Sequence, residues 1–151
     1  MKEFATVNDI LDFAIKAEQA AVDFYSHLAS QSRNDDMKQV FEEFSQEEMG
    51  HKARLTTIKE SGIPGLSGEK IADLRIADYI VDVKAEPEMS YADALVLAMK
   101  REKSAFRLYM DLSRRVADTD LKQTFLALAM EESKHKLRFE LEYDEFVLRE
   151  N

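Results

Sequence analysis

Displaced by 84 positions, this chain falls onto itself. Glu18, Ala21, Tyr25 and Leu28 land on Glu102, Ala105, Tyr109 and Leu112. Phe41, Glu47, Glu48, His51 and Lys52 land on Phe125, Glu131, Glu132, His135 and Lys136, and no gap is needed between residues 17 and 55. The repeat restricts the chain to two copies of one unit. Matched positions recur at three- and four-residue spacing, the period of an amphipathic helix. Each copy has two such segments around a polar turn, residues 32–36 in the first and 116–120 in the second, rich in helix-capping side chains. The unit is a helical hairpin. The expected fold is all-α, an antiparallel four-helix bundle made of two repeated hairpins joined by a long crossover.

Helix periodicity places the elements. The first hairpin should occupy 9–61, the crossover 62–89 and the second hairpin 90–148, all within one domain over 1–151. Thr6 and Asn8 compete to cap the first helix, whose inward stripe reads Leu11, Ala14, Glu18, Ala21, Tyr25, Leu28. The second carries Phe41, Phe44, Glu48, His51, Leu55 and Ile58 on one face and stops at Ser61-Gly62-Ile63-Pro64-Gly65. Ser90 to Asp93, after Pro87, opens the third, with Leu95, Ala98, Glu102, Ala105, Tyr109 and Leu112 inward. Leu121, Phe125, Leu128, Glu132, His135 and Phe139 face inward on the fourth. Its end keeps Tyr143, Phe146 and Val147, apolar surface for packing on the crossover or for a dimer contact. Within the crossover, 71–80 could form a short helix that sets Ile71, Leu74 and Tyr79 against the bundle.

Charged residues on those inward stripes carry the chemistry. Glu18 stands thirty residues before Glu48, and Glu102 thirty before Glu132. Each pair is centred on its turn, so each Glu lies about 15 residues, roughly 22 Å, from the turn, and antiparallel packing brings the two level. His51 and His135 follow Glu48 and Glu132 by three residues and project from the same helix face. One Glu from each of two helices plus a Glu-x-x-His from each of the other two is a ligand set for a pair of iron or manganese ions. A surface-charge coincidence is the alternative. It would leave four carboxylates and two imidazoles buried without a cation, which is strongly unfavourable. The expected metal ligands are therefore Glu18, Glu48, His51, Glu102, Glu132 and His135.

Other features bear on partners. The net charge of −9 argues against nucleic acid and anionic membranes as partners. No cysteine is present, which excludes disulfides, iron–sulfur clusters and a rubredoxin-type site within this sequence. The first residues show no basic segment followed by an apolar run, and no stretch reaches transmembrane length, so a cytoplasmic location is the expectation. Tyr25 and Tyr109, two turns beyond Glu18 and Glu102, could orient carboxylates or could be ordinary core tyrosines. His27 lacks the Glu-x-x-His setting and reads as a surface residue. Gly50 inside a helix costs about 1 kcal/mol relative to Ala. Close approach of another chain or a helix distortion would account for it.

With these positions in place, the chain resembles the ferritin-like superfamily and, within it, the rubrerythrins, over essentially its whole length. The resemblance implies that Glu48 and Glu132 bridge two metals, with Glu18, Glu102, His51 and His135 as terminal ligands. It also implies peroxide reduction, ferrous-iron oxidation or dioxygen activation as the activity, and a homodimer. Rubrerythrins usually carry a further Glu one turn after the third-helix ligand. Here that residue is Ala105, which counts against the ligand-exchange chemistry associated with their peroxidase activity. Their C-terminal rubredoxin domain is absent from this sequence, so reductive turnover needs a separate electron donor such as a rubredoxin-like protein. The leading expectation is a di-iron oxidoreductase acting on H2O2 or O2, with two Fe per site, although Mn or a mixed pair suits the same donors. An iron-storage unit and a non-catalytic, metal-stabilised bundle are the alternatives.

Overall fold

The computed structural model describes residues 4–32, 34–81 and 89–150. The chain divides into two compact units, Glu3–Asp73 and Leu74–Asn151. Each is built on one antiparallel pair of helices, and no strand runs through the described residues.

In the first unit α1 (Val7–Gln31) and α2 (Asp35–Ser61) form the pair. Thr6 caps α1 in a capping box, its hydroxyl accepting from the Asp9 N–H at 3.1 Å while Asp9 accepts from the Thr6 N–H at 3.1 Å. Asn34 caps α2 through the Asp36 and Met37 N–H groups. Gly62 ends it at φ 78°, a conformation that favours glycine. The register between the helices is visible in three cross-helix contacts. Lys59 pairs with Asp12 at 2.5 Å, Lys52 donates to Gln19 at 2.7 Å, and the Ser26 and Ser45 hydroxyls meet at 2.8 Å. Each step advances seven residues on one helix and retreats seven on the other, two turns at a time. Between them the inward stripe is closed: Leu11, Tyr25, Phe41 and Leu55 are fully buried. Burial of each such side chain is worth about 1.5–3 kcal/mol.

In the second unit α4 (Tyr91–Ser113) pairs with α5 (Thr119–Glu150). Ser90 caps α4 by accepting from the Asp93 N–H, and Asp118 accepts from the Leu121 N–H at the start of α5. Leu95, Ala98, Leu112, Phe125, Leu128 and Phe139 form the core. Phe146 packs edge-on against Tyr91, ring centres 5.1 Å apart, so the apolar end of α5 meets the start of α4.

The crossover corrects an expectation. No single helix spans 71–80. A four-residue α3 (Gly68–Ile71) and a 3-10 turn (Ile76–Asp78) stand there instead. Ile71, Leu74 and Tyr79 are all buried, as the apolar spacing suggested. They serve different units, however, because the chain passes from one to the other between Asp73 and Leu74. Tyr79 is held by donating to Asp111 at 2.6 Å and by taking the Ser104 hydroxyl on its carbonyl. These tertiary anchors override a helical pattern too short to sustain itself. The rest of the crossover, residues 82–88 with Pro87, lies outside the described residues, as does Arg33 in the first turn.

Candidate metal centre

Each hairpin assembles two carboxylates and an imidazole in its interior. In the first, α1 supplies Glu18 and α2 supplies Glu48 and His51, and all three are buried. His51 Nδ1 lies 3.5 Å from Glu18 Oε2 and 3.7 Å from Glu48 Oε2. The three offer ligand atoms within 4.8 Å of one another. In the second hairpin α4 supplies Glu102 and α5 supplies Glu132 and His135, again all buried. His135 Nδ1 lies 3.5 Å from Glu102 Oε1, and these three also offer ligand atoms within 4.8 Å of one another. The arrangement follows from the local sequence. An i, i+3 spacing keeps Glu and His on one face, and the neighbouring helix brings its Glu alongside.

Protonation in the first hairpin shows the strain of that burial. Glu18 is pushed well above the usual carboxylate range, first by burial and then by Glu48 beside it. Burial alone would hold His51 down, but hydrogen bonds and charge from Glu18 and Glu48 outweigh it and lift the imidazole to about 10. Glu48 pushes both groups upward. Glu18, Glu48 and His51 together keep at least one more proton at neutral pH than they would apart. Carboxylate and imidazole, in a chain without thiolates, are the donors that suit iron or manganese, and a divalent cation can take the place of those protons. The residues fit a metal.

Against this geometry the comparisons with known proteins can be set. The rubrerythrin family model matches residues 9–84 and 93–151. The chain belongs to the rubrerythrin family. Among solved structures, a Thermotoga maritima protein described as ferritin-like and diiron-carboxylate superposes with a TM-score of 0.79 at 21% identity, over 96% of this chain and 99% of that one. A hypothetical protein from Pyrococcus furiosus superposes with a TM-score of 0.72 at 28% identity, over 89% of this chain and 86% of that one. These likenesses establish the ferritin-like helical fold with its paired hairpins. A search of curated proteins finds no match.

The remaining residues singled out from the sequence are also placed. Tyr25 and Tyr109 are buried core residues. His27 is exposed, its carbonyl accepting from Ser30. Glu47 is exposed and Glu131 half-buried. Gly50 is exposed with nothing near its missing side chain, so no close approach within this chain requires it. Sequence reading missed Glu142, a buried carboxylate that accepts from the Tyr91 hydroxyl at 3.3 Å and pairs with Arg149 at 3.1 Å. The signal was available. Glu142 continues the inward spacing of Phe125, Leu128, Glu132, His135 and Phe139, seven residues beyond His135. No helix among the described residues is long and apolar enough to cross a membrane.

Proposed function

We propose that this rubrerythrin-family chain is a di-iron oxidoreductase whose two Glu–Glu–His triads hold one pair of iron ions and reduce hydrogen peroxide at the expense of ferrous iron. One observation carries the reading. Each hairpin buries two carboxylates and an imidazole against one another, a donor set of carboxylate oxygens and ring nitrogens that suits iron. Glu18, Glu48 and His51 would hold the metals from the first hairpin, and Glu102, Glu132 and His135 from the second. When bound, a ferrous pair supplies two electrons, one from each ion, which with two protons convert H2O2 into two waters.

The chain's own residues do the rest. His51 must give up its proton to ligate, and that proton leaves as metal enters. The burial of all six side chains keeps bulk water away from the donors. Ala105 presents a methyl group where the ligand-exchanging carboxylate of relatives would stand, and among the described residues the carboxylates clustered with the imidazoles are Glu18, Glu48, Glu102 and Glu132. Re-reduction needs a separate one-electron donor, because the chain contains no thiolate cluster site of its own.

Peroxide stoichiometry tests the proposal. The anaerobically iron-loaded protein, mixed with limiting H2O2 in a stopped-flow spectrometer, should oxidise two ferrous ions per peroxide. Oxidation by peroxide should outrun oxidation by dioxygen. Hydroxyl-radical release with one iron oxidised per peroxide would show that the two electrons do not come from a paired site, and would overturn the reading.

A further inference from the structure

A cleft of about 290 Å³ opens between the exposed side of α4 and the crossover, all of it within the second unit. One wall is cationic. Lys100, Lys103 and Arg107 line it. At about 100° per residue they fall within an arc of about 60°, over about 10 Å of helix. The other wall is the chain from Asp78 to Val81, and two contacts fasten it to the helix. Arg107 donates to the Asp78 carbonyl at 3.5 Å, and the Ser104 hydroxyl donates to the Tyr79 carbonyl. This wall therefore runs antiparallel to α4 and carries Ile80 and Val81 on toward Lys103 and Lys100.

The hairpin fold does not call for this charge. Lys100 and Lys103 are exposed, and among the described residues neither pairs with a carboxylate. Shifted by 84, the three cationic positions fall on Lys16, Gln19 and Asp23 of α1, where the charges cancel. There Gln19 donates to Asp23 at 3.0 Å and accepts from Lys52 at 2.7 Å. Ser104 falls on Ala20, so the hydroxyl that fastens the crossover wall is also particular to the second hairpin. Three cations against Asp78 alone make the cleft positive, in a chain of net charge −9. Holding like charges together without a counter-anion is unfavourable.

We propose that this cleft binds a small organic phosphate, at a site separate from the metal centre. A phosphate monoester carries about 1.5–2 negative charges at neutral pH, which three cations and one carboxylate match. Arg107 offers a planar fork of N–H donors suited to phosphate oxygens, and the two lysines supply point charges. Ile80, 51% exposed, and half-buried Val81 add an apolar surface that a bare ion would leave uncovered, so the ester carries an organic group. The volume lies near the lower end for ligand sites, about 300–1,000 Å³, which limits the occupant to a small molecule. Concavity on this scale suits such a molecule better than the face of a partner protein. Glu102 stands on the same helix but is buried among the metal ligands, so the cleft and the metal centre use different faces of α4.

Calorimetric titration of the full chain as isolated tests this, with phenyl phosphate, inorganic phosphate and benzoate as probes. Phenyl phosphate should bind once per chain with a Kd of about 1 mM or tighter. Inorganic phosphate, which lacks the organic group, and benzoate, which carries a single charge, should each bind at least tenfold more weakly. Lys100→Gln/Lys103→Gln should weaken phenyl phosphate at least tenfold with metal content and helicity unchanged. Lys16→Gln, at the matching exposed position on α1, should leave the affinity as it is. Ile80→Ser should remove the preference for phenyl phosphate over inorganic phosphate. No binding at millimolar phenyl phosphate, or no advantage over either other probe, would overturn the proposal. So would an affinity indifferent to Lys100→Gln/Lys103→Gln, or one lowered equally by Lys16→Gln.

Discussion

Stripping the metal should leave a protein that loses stability as pH rises, and the cause lies in the first hairpin. His51 is lifted from 6.5 to about 10 by Glu18 and Glu48, and Glu18 is itself raised by burial and by Glu48. A group whose folded value exceeds its unfolded value stabilises the fold fully below the unfolded value. That contribution disappears as pH climbs through the folded value. For His51 the window runs from 6.5 to about 10. At about 1.36 kcal/mol per pH unit, the full displacement is of order 5 kcal/mol. A domain of this kind has only about 5–15 kcal/mol in total. The assay is urea unfolding of chelator-treated protein, followed by far-ultraviolet circular dichroism across that window. Stability should fall steadily with pH, and the double variant Glu18→Gln/His51→Gln, which removes both titrating groups, should be much flatter. Ferrous ion should reverse the trend in the wild type, because the metal competes with those same protons. A flat metal-free profile, or an equal slope in the double variant, would refute the reasoning.

Further outcomes follow from individual contacts. Glu48→Gln should abolish tight iron binding and lower metal-free stability at neutral pH, because it removes a charge that holds the His51 proton, measured by metal analysis after dialysis and by unfolding. Arg149→Ala should cost about 1–2 kcal/mol, since it removes a charged partner from buried Glu142; the exposure of Arg149 keeps the figure low. Tyr91→Phe, which removes the other contact to Glu142, should cost about 1 kcal/mol in urea unfolding. Thr6→Ala should cost about 0.5–2 kcal/mol by opening the capping box of α1, and Thr6→Ser should recover most of it.

How far the sequence discloses this molecule depends on whether a residue's partner lies nearby in helical period or far away. Glu18, Glu48 and His51 could be placed together from spacing alone, because a hairpin turn near Asn34 and an i, i+3 step fully determine which side chains meet. The same holds for Glu102, Glu132 and His135. The crossover was less legible. Ile71, Leu74 and Tyr79 were recognisable as buried anchors, but the helix drawn through them was not formed. Tyr79 is positioned by Asp111 and Ser104, which lie more than twenty residues away in sequence. On α5 apolar residues line two faces, and the register of Glu132 and His135 picks out Phe139 as inward, as its burial bears out, while Leu137 and Leu141 on the other face stay exposed.

The central claim is that the two triads act as one site for two metals. The most direct test is an anaerobic ferrous titration of the metal-free protein, with bound iron counted per chain. The account predicts two irons per chain in the wild type. It also predicts a loss of tight binding at both positions when either Glu48 or Glu132 is changed to Ala. Binding of less than one iron per chain, or of an amount unchanged by Glu48→Ala and Glu132→Ala, would contradict it.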